Sequence, residues 1–336
     1  MKKFIGLLLS LALACSTFAQ MSGYSSSQSD GTALGADLTS DADGISLGNA
    51  VKLRGYIQST FEHKESNDSD RGNPTDFESS ADLDLLINLS PVTAEVHLSL
   101  SDDNDSQLLE QAFGRYSFNQ DLHLTFGRQV TVLGFDGDER PDLFAVTRAY
   151  DRGVENRPAK TYVEGVRLNY NNGFLGVIFG LHDHYGLNDN HDNLDDGMAI
   201  DLAASVMFFP GLEAQLGFAN ESGGDDDDDS QQVNGWVSWN PGDLTLAFEF
   251  DSFSFSDNRD AFDIMLLANY QFSDFLGATF RYVHMDHHDV EADRLTLAAL
   301  LSLTENFGLN LEWSYTSSDL KAHDGNEFYI EGLITY

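Results

Sequence analysis

The densest reactive chemistry in this sequence lies between Gly134 and Lys160. Carboxylates at Asp136, Asp138, Glu139, Asp142, Asp151 and Glu155 are interleaved there with the bases Arg140, Arg148, Arg152, Arg157 and Lys160. Opposite charges held across a narrow aqueous gap would set up a transverse field that sorts polar solutes. Paired on an outer surface, the same groups would merely stiffen a loop, because exposed ion pairs contribute little. Two features favour the inward arrangement. Of the 18 Lys and Arg, eight fall between Arg115 and Arg167, so the bases are concentrated rather than scattered. The embedded Leu143-Phe144-Ala145-Val146 is apolar enough to pack against a wall, which a freely solvated loop would not need. Arg128, Asp136, Asp138, Glu139, Arg140, Asp142, Arg148, Arg152 and Arg157 are therefore the candidate constriction.

Elsewhere the reactive residues are sparse. His182 and His184 with Asp183, and His284, His287 and His288 with Asp286 and Asp289, have the residue types of a transition-metal site. They stand where strands meet polar loops, so solvated loop histidines are the better account. Thr39, Asp41, Asp43 and Gly44 imitate the front of a calcium loop, but Ala50 occupies the position that should supply a bidentate Glu. Gly223-Gly224 followed by Asp225 to Asp229 reads as a hydrated loop. The sequence carries no phosphate-loop motif and no His-Glu-x-x-His, and its one cysteine, Cys15, lies in the leader. No cofactor, metal or catalytic group is expected.

The elements that must position the charged segment are read from the rest of the chain. Its 336 residues are 41% hydrophobic and 22% charged, which is enough apolar material for a buried core and excludes wholesale disorder. The formal charge of −37, from 55 acids against 18 bases, repels phosphate backbones and argues against a nucleic-acid partner. Lys2 and Lys3, the apolar run Phe4 to Ala14 and the small residues up to Ala19 read as a secretory signal cleaved after Ala19. Acylation at Cys15 is the alternative, for which Ala12-Leu13-Ala14 is a poor approach. Gln20 to Leu47, rich in Ser, Gly and Asp, reads as a flexible periplasmic lead-in, leaving 48–336 as one folded domain.

That domain alternates with period two. Leu83, Leu85, Ile87 and Leu89 are followed by Val92, Ala94, Val96 and Leu98; the pattern returns at Leu244 to Phe250, Leu295 to Leu303 and Phe307 to Tyr315. Tight turns fall at Ser90-Pro91, Asn119-Gln120, Asn172-Gly173, Pro210-Gly211, Pro241-Gly242, Ser273-Asp274 and Glu305-Asn306. Between them lie longer polar loops near 63–75, 101–107, 134–160, 183–196, 220–231, 254–261, 285–292 and 317–325. This strict alternation of short and long connections implies about 16 antiparallel strands in an up-and-down transmembrane β-barrel, with short periplasmic turns and long extracellular loops. Aromatics flank six of the seven turns (Phe118, Phe174, Phe209, Trp239, Phe272 with Phe275, and Phe307), as a membrane-interface girdle would.

The last strand, Phe328 to Tyr336, ends on an aromatic carboxy terminus and resembles the terminal strand of outer-membrane proteins. That resemblance implies that Tyr336 is an assembly signal read by the barrel-assembly machinery. Glu110-Gln111-Ala112-Phe113, followed by Leu124-Thr125-Phe126-Gly127-Arg128-Gln129 and Leu133-Gly134-Phe135, resembles the strand-pair-and-loop pattern of the OmpL-like β-barrel porin family. The resemblance implies the outer membrane of a Gram-negative bacterium, surrounding lipid, a homotrimer as one assembly, and diffusion of small hydrophilic solutes or ions.

On this reading Leu85, Ile87, Val96, Leu98, Leu246, Phe248, Leu297, Leu301, Leu309 and Leu311 face lipid. The opposite parity lines the lumen with Arg54, Asp82, Asp84, Glu95, Arg115, Arg167, Glu213, Glu249 and Arg281, joined by Lys52, Glu62, Arg128, Asp201, Asp263 and Glu312. Acids outnumber bases on that wall, which predicts weak cation selectivity unless the arginines near 128–157 alone line the narrowest point. An adhesin or scaffold barrel without an open pore, and an outer-membrane hydrolase, are the rival functions.

Overall fold

The computed structural model describes residues 44–66, 73–101, 107–136, 140–150, 161–187, 194, 197–222, 229–255, 260–287, 290–320 and 324–336. The leader 1–19, the lead-in up to residue 43 with Thr39, Asp41 and Asp43, and Asp225 to Asp228, His288 and Asp289 lie outside the described residues. So do Asp138, Glu139, Asp151, Arg152, Glu155, Arg157 and Lys160 of the charged segment.

The described chain is all strand and turn. After a two-residue β1 (Ile45–Ser46) come β2 (Val51–Ser66), β3 (Thr75–Asn88), β4 (Val92–Ser101), β5 (Gln107–Ser117), β6 (Leu122–Val130), β7 (Tyr162–Asn171), β8 (Leu175–His182) and β9 (Ala199–Phe209). The second half comprises β10 (Leu212–Glu221), β11 (Ser230–Trp239), β12 (Leu244–Ser254), β13 (Asp260–Ser273), β14 (Leu276–His287), β15 (Val290–Thr304), β16 (Phe307–Ser318) and β17 (Gly325–Thr335). Each strand from β2 onward pairs antiparallel with the next, and β17 returns to β2 with Thr335 opposite Tyr56 and Gly325 opposite Ser66. The result is a closed up-and-down barrel of 16 strands, to which β1 adds a short extra rung on β2. Closure leaves no open edge, the condition for spanning lipid with strands.

Side-chain chemistry explains the turns. Asn119 Oδ1 accepts from the backbone N–H groups of Asp121 and Leu122, and Asn172 Oδ1 does the same for Phe174 and Leu175. Gly173 and Gly211 take left-handed φ values of 85° and 89°, which those tight turns require. All seven short turns expected from sequence connect the strand pairs they were assigned to, and the aromatics beside them sit exposed on the outer face. The assigned lipid face also stands outward, because its neighbours in sequence, such as Asp84, Glu95, Glu249 and Asn310, are the buried ones.

Two expectations change. The connection placed at 285–292 shrinks to the two residues between β14 and β15, since Met285, Val290 and Ala292 find apolar partners inside the barrel and the strands run on to bury them. His284 and His287 are accordingly strand residues rather than loop histidines. Arg128 lies on the outward parity, not in the lumen: Arg115 faces Thr125 across the β5–β6 pair, so Thr125, Gly127 and Gln129 point inward and Arg128 outward. Its guanidinium donates to the carbonyls of Leu109 and Glu110 at 2.9 and 3.0 Å and covers the Tyr162 ring at 5.3 Å, which keeps the charge satisfied at the outer rim.

Candidate functional site

The barrel interior is built from alternate residues of every strand, and the described residues between β6 and β7, 131–136 and 140–150, enter it. Phe135, Phe144, Ala149 and Tyr150 pack with Trp236, Ala247, Met265, Val283 and Met285, all on the inward parity of β11 to β14. Phe135 stacks on Phe144 with centroids 5.8 Å apart and leans on Trp236 at 5.4 Å. The apolar stretch from Leu143 thus has the wall its composition called for. A second segment, just after β8, also turns inward: Tyr185 and Leu187 pack with Val132, Leu133, Val163 and Phe253.

Polar bonds fix the first segment more tightly than apolar packing alone would. Arg281, on β14, donates to Asp136 at 2.7 Å, to the carbonyls of Thr147 and Arg148 at 2.9 and 3.0 Å, and to Thr147 Oγ1 at 3.0 Å. From β16, Glu312 accepts both the backbone N–H of Thr147 at 2.8 Å and its hydroxyl at 2.6 Å. Arg140 pairs with Glu331 of β17 at 2.9 Å, and Thr279 donates to the carbonyl of Phe144 at 2.5 Å. Guanidinium groups present several donors in a fixed fork, so one buried Arg281 can hold two backbone carbonyls and a carboxylate at once.

The remaining candidates do not gather into one site. Arg54 meets Asp84 at 3.0 Å and Glu95 at 3.9 Å, and His97 bridges the same two acids at 3.2 and 3.0 Å. Asp142 comes from the inward segment to face Arg54 and Asp84; burial pushes its carboxyl up to about 6, against the pull of Arg54 and with the push of Asp84. Arg167 pairs with Asp201 at 3.3 Å while His182 contacts the same carboxylate at 3.1 Å, all three fully buried. Glu249 accepts from Asn234 at 2.9 Å, and Asp263 from His287 at 2.7 Å. Arg115 is buried over the Phe113 ring, Glu213 stands half-buried near the periplasmic end, and Arg148 has an exposed side chain. Asp82 is buried on β3.

Sequence reasoning missed several participants. Arg294 bonds Glu327 at 2.7 Å and approaches Glu312 at 3.8 Å; Glu331 and Thr147 complete the grip on the inward segment. Parity would have placed Arg294 and Glu331 inside, since Arg294 alternates with the outward Leu295 and Leu297, and Glu331 with the outward Phe328, Ile330 and Ile334. Glu110 needed more: a bulge pairs His97 with Gln111 and Leu98 with Leu109, leaving Glu110 as the extra residue and turning it inward. Tyr185 and Leu187 were apolar residues in a loop read as polar.

Among the described residues no set of three metal-ligating side chains converges, and His288 and Asp289 of the second histidine group lie outside them. A Gly-x-Ser-x-Gly spacing does occur at Gly44, Ser46 and Gly48, but Ser46 lies in β1, paired with Lys52, rather than on a strand-to-helix turn.

The model of the family described as "Putative beta-barrel porin-2, OmpL-like" matches residues 87–320. No curated protein matches the sequence. Among solved structures, the outer-membrane channel DcaP of Acinetobacter baumannii aligns with a TM-score of 0.64 at 11% identity, over 88% of this chain and 100% of that one. OmpF of Salmonella typhi, in complex with daunomycin, gives 0.66 at 13% identity over 85% and 98%. An anion-selective porin from Comamonas acidovorans gives 0.63 at 15% identity over 85% and 99%. At these identities the likeness is one of fold. A family match over most of a closed 16-stranded barrel decides the assignment: the chain belongs to the OmpL-like β-barrel porin-2 family and resides in the outer membrane of a Gram-negative bacterium.

Proposed function

We propose that the protein is a diffusion channel for small hydrophilic solutes or ions, with the segment after β6 as its constriction and a weak preference for cations. The observation that carries this reading is the grip of Arg281 and Glu312 on Thr147, which holds a charged segment across the interior rather than above it. Selectivity of a pore is set where it is narrowest, so a segment fixed there outweighs the total charge of the wall. Family membership favours a channel over an outer-membrane hydrolase. The related folds also make a homotrimer the assembly to test, with lipid and the barrel-assembly machinery as the other partners.

Single-channel recording of the refolded protein in a salt gradient tests the reading. Discrete conductance steps with a reversal potential of cationic sign are expected; clear anion preference would refute the charge argument. A second reading, a scaffold barrel with a closed lumen, draws on the burial of Arg167, Asp251, Met265, Arg281 and Arg294 on the inner wall. It requires that no discrete steps occur.

A further inference from the structure

His97, on the inward face of β4, has a carboxylate beside each ring nitrogen. Nε2 lies 3.0 Å from Glu95 Oε2, and Nδ1 lies 3.2 Å from Asp84 Oδ1. Nδ1 has a second neighbour, Gln111 Nε2 of β5, also at 3.2 Å. The far end of that amide meets the chain leaving β6. The register of the β5–β6 pair runs out at Ala112 and Arg128, and the Val130 N–H donates instead to Gln111 Oε1 at 3.2 Å.

These contacts fix the protons. A backbone N–H can only donate, so the oxygen of the Gln111 amide must face Val130 and its NH2 must face His97. Nδ1 is then an acceptor, and a neutral His97 carries its hydrogen on Nε2, toward Glu95. That leaves Asp84 Oδ1 buried beside Nδ1 without a hydrogen-bond partner, while Asp84 Oδ2 accepts from Arg54 at 3.0 Å. A second proton on the ring reverses the arrangement. Nδ1–H would oppose the Gln111 NH2 and satisfy Asp84, and charge-assisted bonds are about twice as strong as neutral ones.

We propose that His97 is a proton-driven latch: neutral, it holds Gln111 and through it Val130; protonated, it exchanges Gln111 for Asp84 and loosens the root of the inward segment. If the ring turns to Asp84, the Gln111 amide loses His97; if the amide flips to follow the ring, it loses Val130. Either way one of its two bonds is gone. Residues 131–136 follow Val130 into the barrel, and its carbonyl keeps the bond from Arg167 at 3.0 Å, so the root is loosened and not released. The charged groups around the ring are Asp84 of β3, Glu95 of β4, Arg54 of β2 and Arg115 of β5, which faces Glu95. Asp142 of the inward segment faces Arg54 and Asp84, and Asp82 touches both Asp84 and Glu110.

NMR of the refolded protein in detergent micelles tests the latch, through labelled histidine ring nitrogens and hydrogen exchange at the Val130 amide. At about pH 8 only Nε2 of His97 should carry hydrogen, and toward about pH 5 both nitrogens should. Val130 protection, taken relative to an unstructured chain at the same pH, should fall with the same midpoint. The expected fall is about two- to tenfold, the worth of one neutral hydrogen bond. His97→Gln should abolish this pH dependence, and Gln111→Met should show the acid-state protection throughout. Asp84→Asn withdraws the charge that attracts Nδ1–H, so it should move the midpoint to lower pH. Protonation of Asp142 firms the segment instead, so the series is repeated in Asp142→Asn. Hydrogen on Nδ1 of the neutral ring, no second proton by about pH 5, or constant Val130 protection while His97 titrates would each overturn the latch. A barrel with a closed lumen would give the same spectra, so these outcomes stand apart from the channel reading.

Discussion

Tyr336 lies over Gly55 at the seam where the barrel closes. The two residues exchange backbone hydrogen bonds at 2.9 and 3.0 Å, and the Tyr336 hydroxyl reaches past Gly55 to the carbonyl of Asp82 on β3 at 2.9 Å. Gly55 has φ of 155°, and a Cβ placed there would stand 2.1 Å from the same Asp82 carbonyl oxygen. Tyr336 thus ties three strands together through a position where only glycine fits.

Gly55→Val should consequently mimic deletion of Tyr336: the chain is exported but inserts poorly. A side chain forced into that conformation costs about 1–3 kcal/mol in the backbone alone, before the clash with Asp82 is counted. Tyr336→Phe keeps the ring and loses one hydrogen bond, about 1 kcal/mol, so it should assemble nearly normally. Outer-membrane yield of the folded, heat-modifiable form measures all three. Wild-type yield from Gly55→Val would show that closure does not depend on this contact.

The lipid face gives a second test on adjacent residues. Ile57 points outward and is 48% exposed, whereas Gln58 is half-buried on the lumen side. Arginine at a lipid-facing position near mid-membrane costs about 2–4 kcal/mol. Ile57→Arg should therefore lower folding stability in lipid vesicles by that amount, and Gln58→Arg should change it little. Equal losses from the two variants would invert the assigned parity.

How far the sequence carried the fold follows from what each signal measures. Period-two alternation reports which side of a strand is apolar, and the barrel makes that side the lipid face almost everywhere, so Leu85, Ile87, Leu297 and Leu311 were legible. Turn chemistry is local, which is why Asn172-Gly173 and Pro210-Gly211 could be located without a structure. Arg128 failed for the opposite reason: its type suggested water, yet Tyr162 and two backbone carbonyls satisfy it on the outer face. The bonds from Arg281 to Thr147 and from Arg140 to Glu331 join residues more than a hundred positions apart. Alternation and turn propensity carry no information on such pairings. Apolarity at Leu143 to Val146 showed that the segment needed a wall, not which wall.

Loosening the inward segment should enlarge the pore. Arg281→Met leaves Asp136 buried without its 2.7 Å partner and frees two carbonyls; removing one member of a buried pair typically costs about 3–5 kcal/mol. Larger and noisier conductance steps are expected, with outer-membrane yield unchanged, because Arg281 bonds to the segment rather than to neighbouring strands. Thr147→Val, which loses its hydroxyl bond to Glu312 but keeps the backbone one, should show a smaller effect in the same direction. Quiet, wild-type conductance in Arg281→Met would mean that the segment is held by its apolar packing alone.

Permeation should respond to pH through Asp142. Burial raises its carboxyl to about 6, Asp84 adds to the rise, and Arg54 opposes it. A carboxyl with that value is charged well above pH ~6 and neutral well below it. Lowering the pH from about 8 to about 5 therefore removes one negative charge from beside Arg54, and cation preference should fall with a midpoint near 6. Linkage gives a second, opposite-sounding consequence. The folded state holds this proton more tightly than the unfolded chain does, so its contribution to stability grows as the pH falls through 6, and the inward segment becomes firmer as selectivity declines. The other titratable groups around Arg54 are Asp84, Glu95 and His97, with His97 lying 3.2 and 3.0 Å from the two acids. Reversal potentials of wild type, Asp142→Asn and His97→Gln across this range separate them. Asp142→Asn should show the low-pH selectivity at every pH, with no step, while His97→Gln retains the step. A step that persists in Asp142→Asn and vanishes in His97→Gln would assign the titration to the histidine instead.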